Sequence, residues 1–177
     1  MALSFLEKIT GMFADRRIDV AERFELLREA ISGTMSSFYL ARDRKTGRLV
    51  GLKILDPEKC AAFEARFKVL KKPSEGEIAM QLKHPRIVET YEYGQTKDGK
   101  HYLIMEYVEG QGLHAILKNQ NSYLDGKRFN LFWQMTEAIQ AVHLGGYIHR
   151  DICPRNFIVS ADAESLNLDA GQAKQAR

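Results

Sequence analysis

The sequence predicts an α+β fold in which an antiparallel sheet comes first and a mainly helical part follows. Short apolar and aromatic runs, separated by turn-forming residues, dominate the chain up to residue 108, which is typical of strands joined by hairpins. Beyond Gly110, apolar residues recur at steps of three and four, the spacing of an amphipathic helix. With 177 residues, of which 45% are apolar and 28% charged, the chain is large and apolar enough to bury a core.

The first 20 residues are predicted to hold a short amphipathic helix over residues 3–13. Apolar residues recur there at helical steps, at Leu3, Leu6, Ile9, Met12 and Phe13. Glu7 and Lys8 interrupt this stretch, so it does not have the form of a secretory signal. We expect the helix to pack on the domain that follows; a membrane-surface or partner-binding helix is the alternative.

Five strands are predicted in residues 21–108. Their sequences are RFELLREAI, SFYLA, RLVGLKI, IVETYEYGQ and HYLIMEYV. The turn-rich DRKTGR joins the second strand to the third, and a turn at Asp98-Gly99 joins the last two. Because antiparallel strands can be joined by such short connections, the sheet is expected to be mainly antiparallel.

Two helices are predicted between the third and fourth strands. Residues 58–82 have a helical period, but Pro73 interrupts it. Ser74 and Glu77 have the spacing of a capping box, so the second helix is expected to begin near Ser74.

A longer helix is predicted over residues 127–143. Its apolar face is expected to belong to the core and consists of Phe129, Phe132, Met135, Ile139 and Val142. Gly145-Gly146 is expected to end the helix, and short strands are predicted at FIV and LNL near the end of the chain.

Composition excludes several classes of function. The net charge is only +3 and basic residues are mixed with acidic ones, so nucleic acid is not an expected partner. Cys60 and Cys153 lie far apart without metal-ligand spacing, which predicts neither a disulfide framework nor a zinc site and favours a reducing cytoplasm. The sequence has no apolar run of the ~20 residues that a membrane span requires.

Polar residues at the ends of the predicted strands have the pattern of a phosphoryl-transfer site. Lys53 ends an apolar strand, and a lysine that faces inward there needs a negative partner such as Glu75. The alternative is a solvent-facing lysine on an edge strand. In the stretch HRDICPRN, Asp151 is the candidate base and Asn156 a neutral oxygen ligand, with Asp169 as a charged one; such ligands suit Mg²⁺.

In type and order these residues resemble those of a eukaryotic-like protein kinase domain, and among these most resemble the bacterial serine/threonine kinases. The matching positions are the strand lysine Lys53, the helix glutamate Glu75, the catalytic loop His149-Arg150-Asp151, the loop asparagine Asn156, and Asp169 for the aspartate of D-F-G. LKHPRIV and MEYVEG match the helix-to-strand turn and the hinge, so the resemblance covers about residues 22–174.

The resemblance implies a protein kinase-like fold, with a five-stranded antiparallel small lobe and hinge over residues 21–108 and an incomplete helical large lobe over 109–177. It implies ATP and Mg²⁺ as cofactors and phosphoryl transfer to a serine or threonine hydroxyl of a protein substrate. The implied catalytic residues are Lys53, Glu75 and Asp151, and the implied metal ligands are Asn156 and Asp169. The implied nucleotide-binding residues are Ile31, Gly33, Phe38, Gly51, Lys53, Glu106 and Val108.

The nucleotide-binding part departs from the family pattern. Gly33 alone remains of the three glycines of the family's phosphate loop, so looser phosphate cover is expected. Phe38 replaces the valine that lies on adenine, and Gly51 replaces an alanine, so volume is expected to move from one side of the base pocket to the other.

The catalytic part departs as well. Cys153 replaces a lysine that contacts the transferred group and is expected to be a small neutral filler, with a reactive thiol as the alternative. Ala170 replaces the phenylalanine of D-F-G, and the chain ends at Arg177, before the family's activation segment and peptide platform.

These departures predict weak Mg-ATP binding with slow or no transfer, because catalysis needs an oriented acceptor hydroxyl. They also predict self-association through the helix at 127–143. The alternative functions are an impaired nucleotide-binding scaffold and a truncated kinase fragment.

Overall fold

The computed structural model describes residues 17–28, 31–32, 36–58, 75–119, 121–170 and 174–175. For Ile31, Ser32, Glu75, Asn121, Lys174 and Gln175 it describes the backbone alone. The predicted helix at 3–13, nearly all of the first helix predicted in 58–82, and Ser74 of the capping box lie outside the described residues.

The chain forms two compact units, and each unit combines two separate stretches of the sequence. Unit 1 comprises residues 1–70 and 91–105, and unit 2 comprises residues 71–90 and 106–177. The domain boundaries expected from the sequence, after residues 20 and 108, stay predictions.

One six-stranded sheet carries the fold of unit 1. Its strands are β1 (Phe24–Leu26), β2 (Ile31–Ser32), β3 (Ser36–Asp43), β4 (Leu49–Leu55), β5 (Thr90–Gln95) and β6 (His101–Glu106). They lie in the order β1-β3-β4-β6-β5, and β2 pairs with β3 beside β1. The pairs that β3 forms with β1, β2 and β4 are antiparallel, as the hairpin connection at DRKTGR predicts.

The first predicted strand, RFELLREAI, is divided in the structure. A short helix, α1 (Val20–Arg23), precedes β1 because the Asp19 side chain accepts hydrogen bonds from the backbone N–H groups of Ala21 and Glu22. The remaining residues then pair with β3 in two separate pieces, β1 and β2. Alternation in the sequence indicates the strand but not this division.

A partly buried ionic network joins α1 to the sheet. The Arg23 guanidinium donates to both carboxylate oxygens of Glu92, at 2.7 and 2.8 Å, and its Nη2 donates to Asp43 Oδ2 at 3.2 Å. The Tyr102 hydroxyl donates to Glu92 Oε1 at 2.6 Å. Burial alone would raise the pKa of Asp43 and of Glu92, but the hydrogen bonds from Arg23 hold both pKa values below their ordinary range.

The described residues of unit 2 form three α-helices and two small antiparallel sheets. The helices are α2 (Glu75–Gln81), α3 (Leu113–Asn119) and α4 (Arg128–Leu144), with short 3₁₀ helices at Asn121–Leu124 and Pro154–Asn156. The strands are β7 (Gly110–Gly112), β8 (Tyr147–Ile148), β9 (Phe157–Ser160), β10 (Leu166–Leu168) and β11 (Lys174–Gln175). β9 lies between β10 and β7, and β11 pairs with β8. The strands predicted at FIV and LNL are confirmed as β9 and β10.

Helix α4 is confirmed, but the face predicted for it is partly wrong. Phe129 is 80% exposed and Phe132 is 61% exposed, so neither belongs to the core. The buried residues are Leu131, Gln134, Ala138 and Val142, with Met135 and Ile139 packed at their margin. Gly146, with φ of +81°, follows the helix end as predicted.

A buried glutamine explains why α4 presents a different face to the core than the sequence predicted. The Gln134 side chain accepts from the Leu166 backbone N–H at 2.8 Å and donates to the Glu164 carbonyl at 2.8 Å. Because a buried amide must be hydrogen-bonded, these two bonds hold the Gln134 side of the helix against β10. The two phenylalanines are thereby turned outward.

Strand β10 also holds the segment that follows α2. The Leu168 N–H donates to the Arg86 carbonyl at 2.9 Å, and the Val88 N–H donates to the Leu168 carbonyl at 3.0 Å. The Asn167 side-chain amide donates to the Pro85 carbonyl at 3.0 Å. The backbone immediately before Asp169 is therefore fixed on both sides.

Every helix among the described residues is too short or too polar to cross a membrane.

Candidate active site

Lys53 lies inside the sheet of unit 1, not at its edge. Its strand β4 is flanked by β3 and β6, and the residue is only 4% exposed. The interpretation of an inward-facing lysine is confirmed, and the alternative of a solvent-facing lysine on an edge strand is wrong. Because a buried ammonium group is costly without negative partners, this position requires negative charge beside Lys53.

One face of the sheet carries Lys53 together with Phe38 and Gly51. Phe38 is directly opposite Lys53 in the β3–β4 pair, and Leu40 is opposite Gly51. Since residues two apart in a strand point to the same side, Phe38, Gly51 and Lys53 share a face, which we call the Lys53 face. The core of unit 1, with Ala41, Val50 and Leu52 of the same strands, lies on the other face.

The other predicted residues of the nucleotide site are described in part. Ile31 pairs with Phe38 through the backbone, Gly33 lies outside the described residues, and Glu75 is the first residue of α2. Glu106 ends β6, where its N–H donates to the Glu89 carbonyl at 2.8 Å. Val108 follows β6 and is half-buried. Their contacts with a nucleotide stay predictions.

The loop that follows β8 brings Asp151 and Asn156 together. The Asn156 Nδ2 group donates to the Asp151 backbone carbonyl at 2.6 Å and to Asp151 Oδ2 at 3.0 Å. The Asp151 carboxylate is exposed, so a hydroxyl can reach it. Because the amide nitrogen of Asn156 is turned to Asp151, its oxygen is directed away and can serve as a ligand.

His149 connects this loop to Asp169. The imidazole is fully buried, and its Nε2 lies 2.8 Å from the Asp169 carbonyl oxygen. A carbonyl only accepts, so Nε2 carries the proton, and Nδ1 is left to accept from the Asp151 N–H at 3.4 Å. Sequence reasoning did not assign His149 a role, although its place in the H-R-D triplet is the signal that could have found it.

The predicted metal ligands are neighbours through the backbone. The Asp169 N–H donates to the Asn156 carbonyl at 2.8 Å. Among the described residues there is no group of three or more His, Cys, Asp or Glu side chains that could hold a metal by itself. The donors Asn156 and Asp169 fit Mg²⁺, which commonly takes one or two protein oxygens and fills its other positions with water and phosphate.

Cys153 and Ala170 are the two residues of this region that depart from the family pattern. Cys153 is a half-buried free thiol whose sulfur lies 3.6 Å from Asn156 Nδ2. Ala170 is buried in the hydrophobic core of unit 2, to which Ile78 and Leu82 also belong. The two interpretations of Cys153, a small neutral filler and a reactive thiol, stay predictions.

The comparisons with known proteins all agree on one protein family. The model of a protein kinase domain matches residues 24–177. A probable serine/threonine-protein kinase of Clostridium perfringens is 32% identical over 156 residues, which is 88% of this chain and 22% of the relative. The kinase PknD of Mycobacterium tuberculosis is 31% identical over 155 residues, 86% of this chain and 22% of the relative.

A third relative, the serine/threonine-protein kinase pkn2 of Myxococcus xanthus, is 32% identical over 168 residues, 92% of this chain and 19% of the relative. The chain thus spans about a fifth of the length of these three curated relatives.

Proposed function

This chain belongs to the protein kinase domain family, and from that premise we propose that it binds Mg-ATP and transfers the terminal phosphoryl group to a serine or threonine hydroxyl. The observation that carries the proposal is the joining of Asp151, Asn156 and Asp169 by hydrogen bonds within one loop system. The three relatives are named as serine/threonine-protein kinases, one of them as a probable one, which supports the class of acceptor.

Asp151 is the residue proposed to orient the acceptor hydroxyl. Phosphoryl transfer requires little covalent chemistry from the protein, so that positioning and charge provide most of the catalysis. The carboxylate is exposed to an incoming hydroxyl and held on its other side by Asn156 Nδ2 at 3.0 Å. Asp151 can accept the proton of that hydroxyl as the new oxygen–phosphorus bond forms and the bond between the terminal phosphorus and the bridging oxygen of ATP breaks, with ADP as the leaving group.

Asn156 and Asp169 are the residues proposed to hold Mg²⁺. The metal would supply positive charge that offsets the negative charge of the phosphates. The Asn156 side chain is kept in a single orientation by its two bonds to Asp151. Asp169 is kept in place by the His149 and Asn156 bonds to its backbone, which limits the reorganisation needed when the metal and nucleotide bind.

Lys53 is proposed to contact the nucleotide phosphates, with Glu75 as its partner. Its burial on the Lys53 face supports this role, because an ammonium group removed from water interacts more strongly with phosphate. The pairing with Glu75 stays a prediction from the resemblance.

A nucleotide-binding regulator with impaired transfer is the second candidate function. Cys153 occupies the place at which the resemblance leads one to expect a lysine, and a thiol supplies no positive charge there. The two candidate functions share nucleotide binding and differ only in phosphoryl transfer. Nucleotide binding and phosphoryl transfer must therefore both be measured.

The experiment combines isothermal titration of Mg-ATP with transfer of labelled phosphate to the chain itself and to a generic basic protein. Lys53→Met should weaken binding at least tenfold, since it removes a charged contact of ~1.5–3 kcal/mol. Asp151→Asn should leave binding almost unchanged and abolish transfer. Lys118→Met and Glu109→Gln, at exposed positions, are the matched controls. Binding without transfer by the wild-type chain would select the regulator, and no binding would reject both candidates.

Cellular location and protein partners are further proposals. Two separated cysteines favour a reducing compartment, and ATP is abundant in the cytoplasm, so we infer that the domain works there. The protein substrate is expected to present a serine or threonine in an accessible segment.

A further inference from the structure

A hydrogen bond joins the end of α2 to the strand that precedes the loop carrying Asp151. The Tyr147 hydroxyl donates to Gln81 Oε1 at 2.7 Å, across 66 positions of the sequence. Gln81 is the last residue of α2, and Tyr147 is the first residue of β8. The tyrosine is only 9% exposed, and a buried tyrosine hydroxyl usually finds a hydrogen-bond partner. Here that partner comes from α2.

Apolar packing surrounds this bond but does not by itself fix the orientation of α2. Ile78 and Leu82 belong to the same buried cluster as Tyr147. A Cβ atom placed on Gly145 would lie 3.1 Å from Leu82 Cδ2 and 3.3 Å from Tyr147 Cδ2, so both side chains close in on this glycine at the end of α4. Burial of apolar surface is non-directional, whereas a hydrogen bond requires a narrow range of distance and angle. The Tyr147–Gln81 bond therefore selects one rotation of α2.

Both ends of this connection lead to residues of the proposed site. α2 has seven residues, and Glu75 is the first of them. At 1.5 Å per residue the helix is about 10 Å long, and a helix of this length moves as a unit. Tyr147 lies two positions before His149, whose imidazole is bonded to the backbones of Asp151 and Asp169. One short helix and one hydrogen bond thus connect Glu75 to the loop that carries Asp151.

We propose that Tyr147 is a positioning residue, which acts through Gln81 to hold α2 in one rotation. This rotation is the one in which Glu75 can serve as the proposed partner of Lys53, so the inference rests on the proposed function. When the bond is lost, α2 also populates other rotations. The affinity for Mg-ATP then falls by the fraction of molecules that leave the competent state.

The test measures the dissociation constant for Mg-ATP by titration, and the melting temperature without nucleotide, for variants of the full chain. Tyr147→Phe removes only the hydroxyl. Gln81→Met removes the acceptor at an exposed position, so it tests the bond even where the change in the core is not tolerated. Gln81→Glu keeps an oxygen acceptor. Tyr123→Phe is the matched control, because Tyr123 packs against the same core and its hydroxyl donates to the Ser160 carbonyl at 3.3 Å.

We expect Tyr147→Phe and Gln81→Met each to weaken Mg-ATP binding about fivefold, the effect of one hydrogen bond, and their combination to weaken it no further. Gln81→Glu should bind Mg-ATP within about twofold of wild type, since a carboxylate oxygen accepts the same bond. Tyr123→Phe should lower the melting temperature and leave the affinity for Mg-ATP unchanged.

A second comparison separates positioning from a general loss of stability. In the Glu75→Gln background, Tyr147→Phe should have almost no further effect on the affinity for Mg-ATP, because the residue through which it acts is already altered. A merely structural role would give the same fold loss of affinity in both backgrounds.

Three results would overturn the inference. They are an equal loss from Tyr147→Phe in both backgrounds, wild-type affinity in Gln81→Met, and a loss of affinity in Tyr123→Phe equal to that in Tyr147→Phe. In each of them the wild-type chain still binds Mg-ATP, so the proposed function stands. A wild-type chain that binds no Mg-ATP rejects the proposed function and this inference together.

Discussion

His149 ties the catalytic loop to Asp169 through a single buried imidazole. Its Nε2 reaches the Asp169 carbonyl and its Nδ1 faces the Asp151 N–H, so one ring satisfies a backbone group on each side. Asp151, the proposed catalytic carboxylate, and Asp169, the proposed metal ligand, are 18 positions apart in the sequence, and this contact holds their backbones together. His149 therefore positions the backbone of Asp151 relative to that of Asp169.

We predict that His149→Phe lowers the free energy of unfolding by ~1–3 kcal/mol, because the Asp169 carbonyl loses its buried donor while the ring volume is largely kept. Urea denaturation followed by tryptophan fluorescence measures this. His143→Phe, at an exposed position of α4, is the control and should change stability by less than ~0.5 kcal/mol. Equal stability of His149→Phe and wild type would contradict the assigned hydrogen bond.

The site residues differed in how far the sequence could define them. Asp151, Asn156 and Asp169 were predicted from residue type and order, because phosphoryl transfer needs oxygen ligands and a carboxylate in any fold that performs it. The contact between Phe38 and Gly51 was not predicted, since a sequence gives the size of two residues but not the distance between them. A Cβ atom placed on Gly51 would lie only 2.7 Å from Phe38 Cζ. Sequence reasoning expected a shift of volume, and the structure shows that one residue fills the space left by the other.

Helix α4 was likewise predicted only in part from the sequence. Its existence and its end at Gly145-Gly146 follow from periodicity and glycine, both of which are local properties. Its rotation depends on Gln134, whose bonds to Glu164 and Leu166 involve a strand some 30 residues later. An apolar pattern with aromatic residues on more than one side does not specify which side is buried.

We predict that the outward face of α4 promotes self-association. Phe129, Phe132 and Trp133 are 80%, 61% and 59% exposed, and neighbouring large apolar groups in contact with water favour association. Replacing Phe129 and Phe132 by Lys should lower the apparent mass in sedimentation equilibrium at high concentration. Leu49→Lys, at an exposed apolar position of β4, should have no such effect. A wild-type chain that stays monomeric over the whole concentration range would refute this.

Acid stability is a property of the whole molecule that depends on the Arg23 network. The pKa values of Asp43 and Glu92 are lower in the folded state than their ordinary values of 3.8 and 4.5. Because the folded state favours the charged forms, their contribution to stability is complete above about pH 5 and is lost as the pH falls through the lower, folded-state pKa values. Asp43, with a side chain only 3% exposed, is the more sensitive of the two to the loss of its partner.

We predict that Arg23→Met lowers the free energy of unfolding at pH 7 by ~3 kcal/mol, since it leaves the buried Asp43 carboxylate without its cation. The difference from wild type should narrow below about pH 4, where the carboxylates become protonated. Thermal unfolding between pH 3 and pH 8 measures both effects. Arg42→Met is the matched control, because its ion pair with Glu25 spans 3.9 Å at the surface and should contribute less than ~1 kcal/mol at any pH. A constant difference across the range would argue against the network.

Residue 169 is located by main-chain atoms alone in the two bonds that join it to His149 and Asn156. Every amino acid except proline possesses the same N–H and carbonyl groups. These two bonds therefore do not depend on which side chain stands at position 169, so an exchange of the aspartate, the proposed metal ligand, leaves both of them available to hold the loop. A single substitution at 169 can thus alter the chemistry proposed for this site while these two backbone bonds persist.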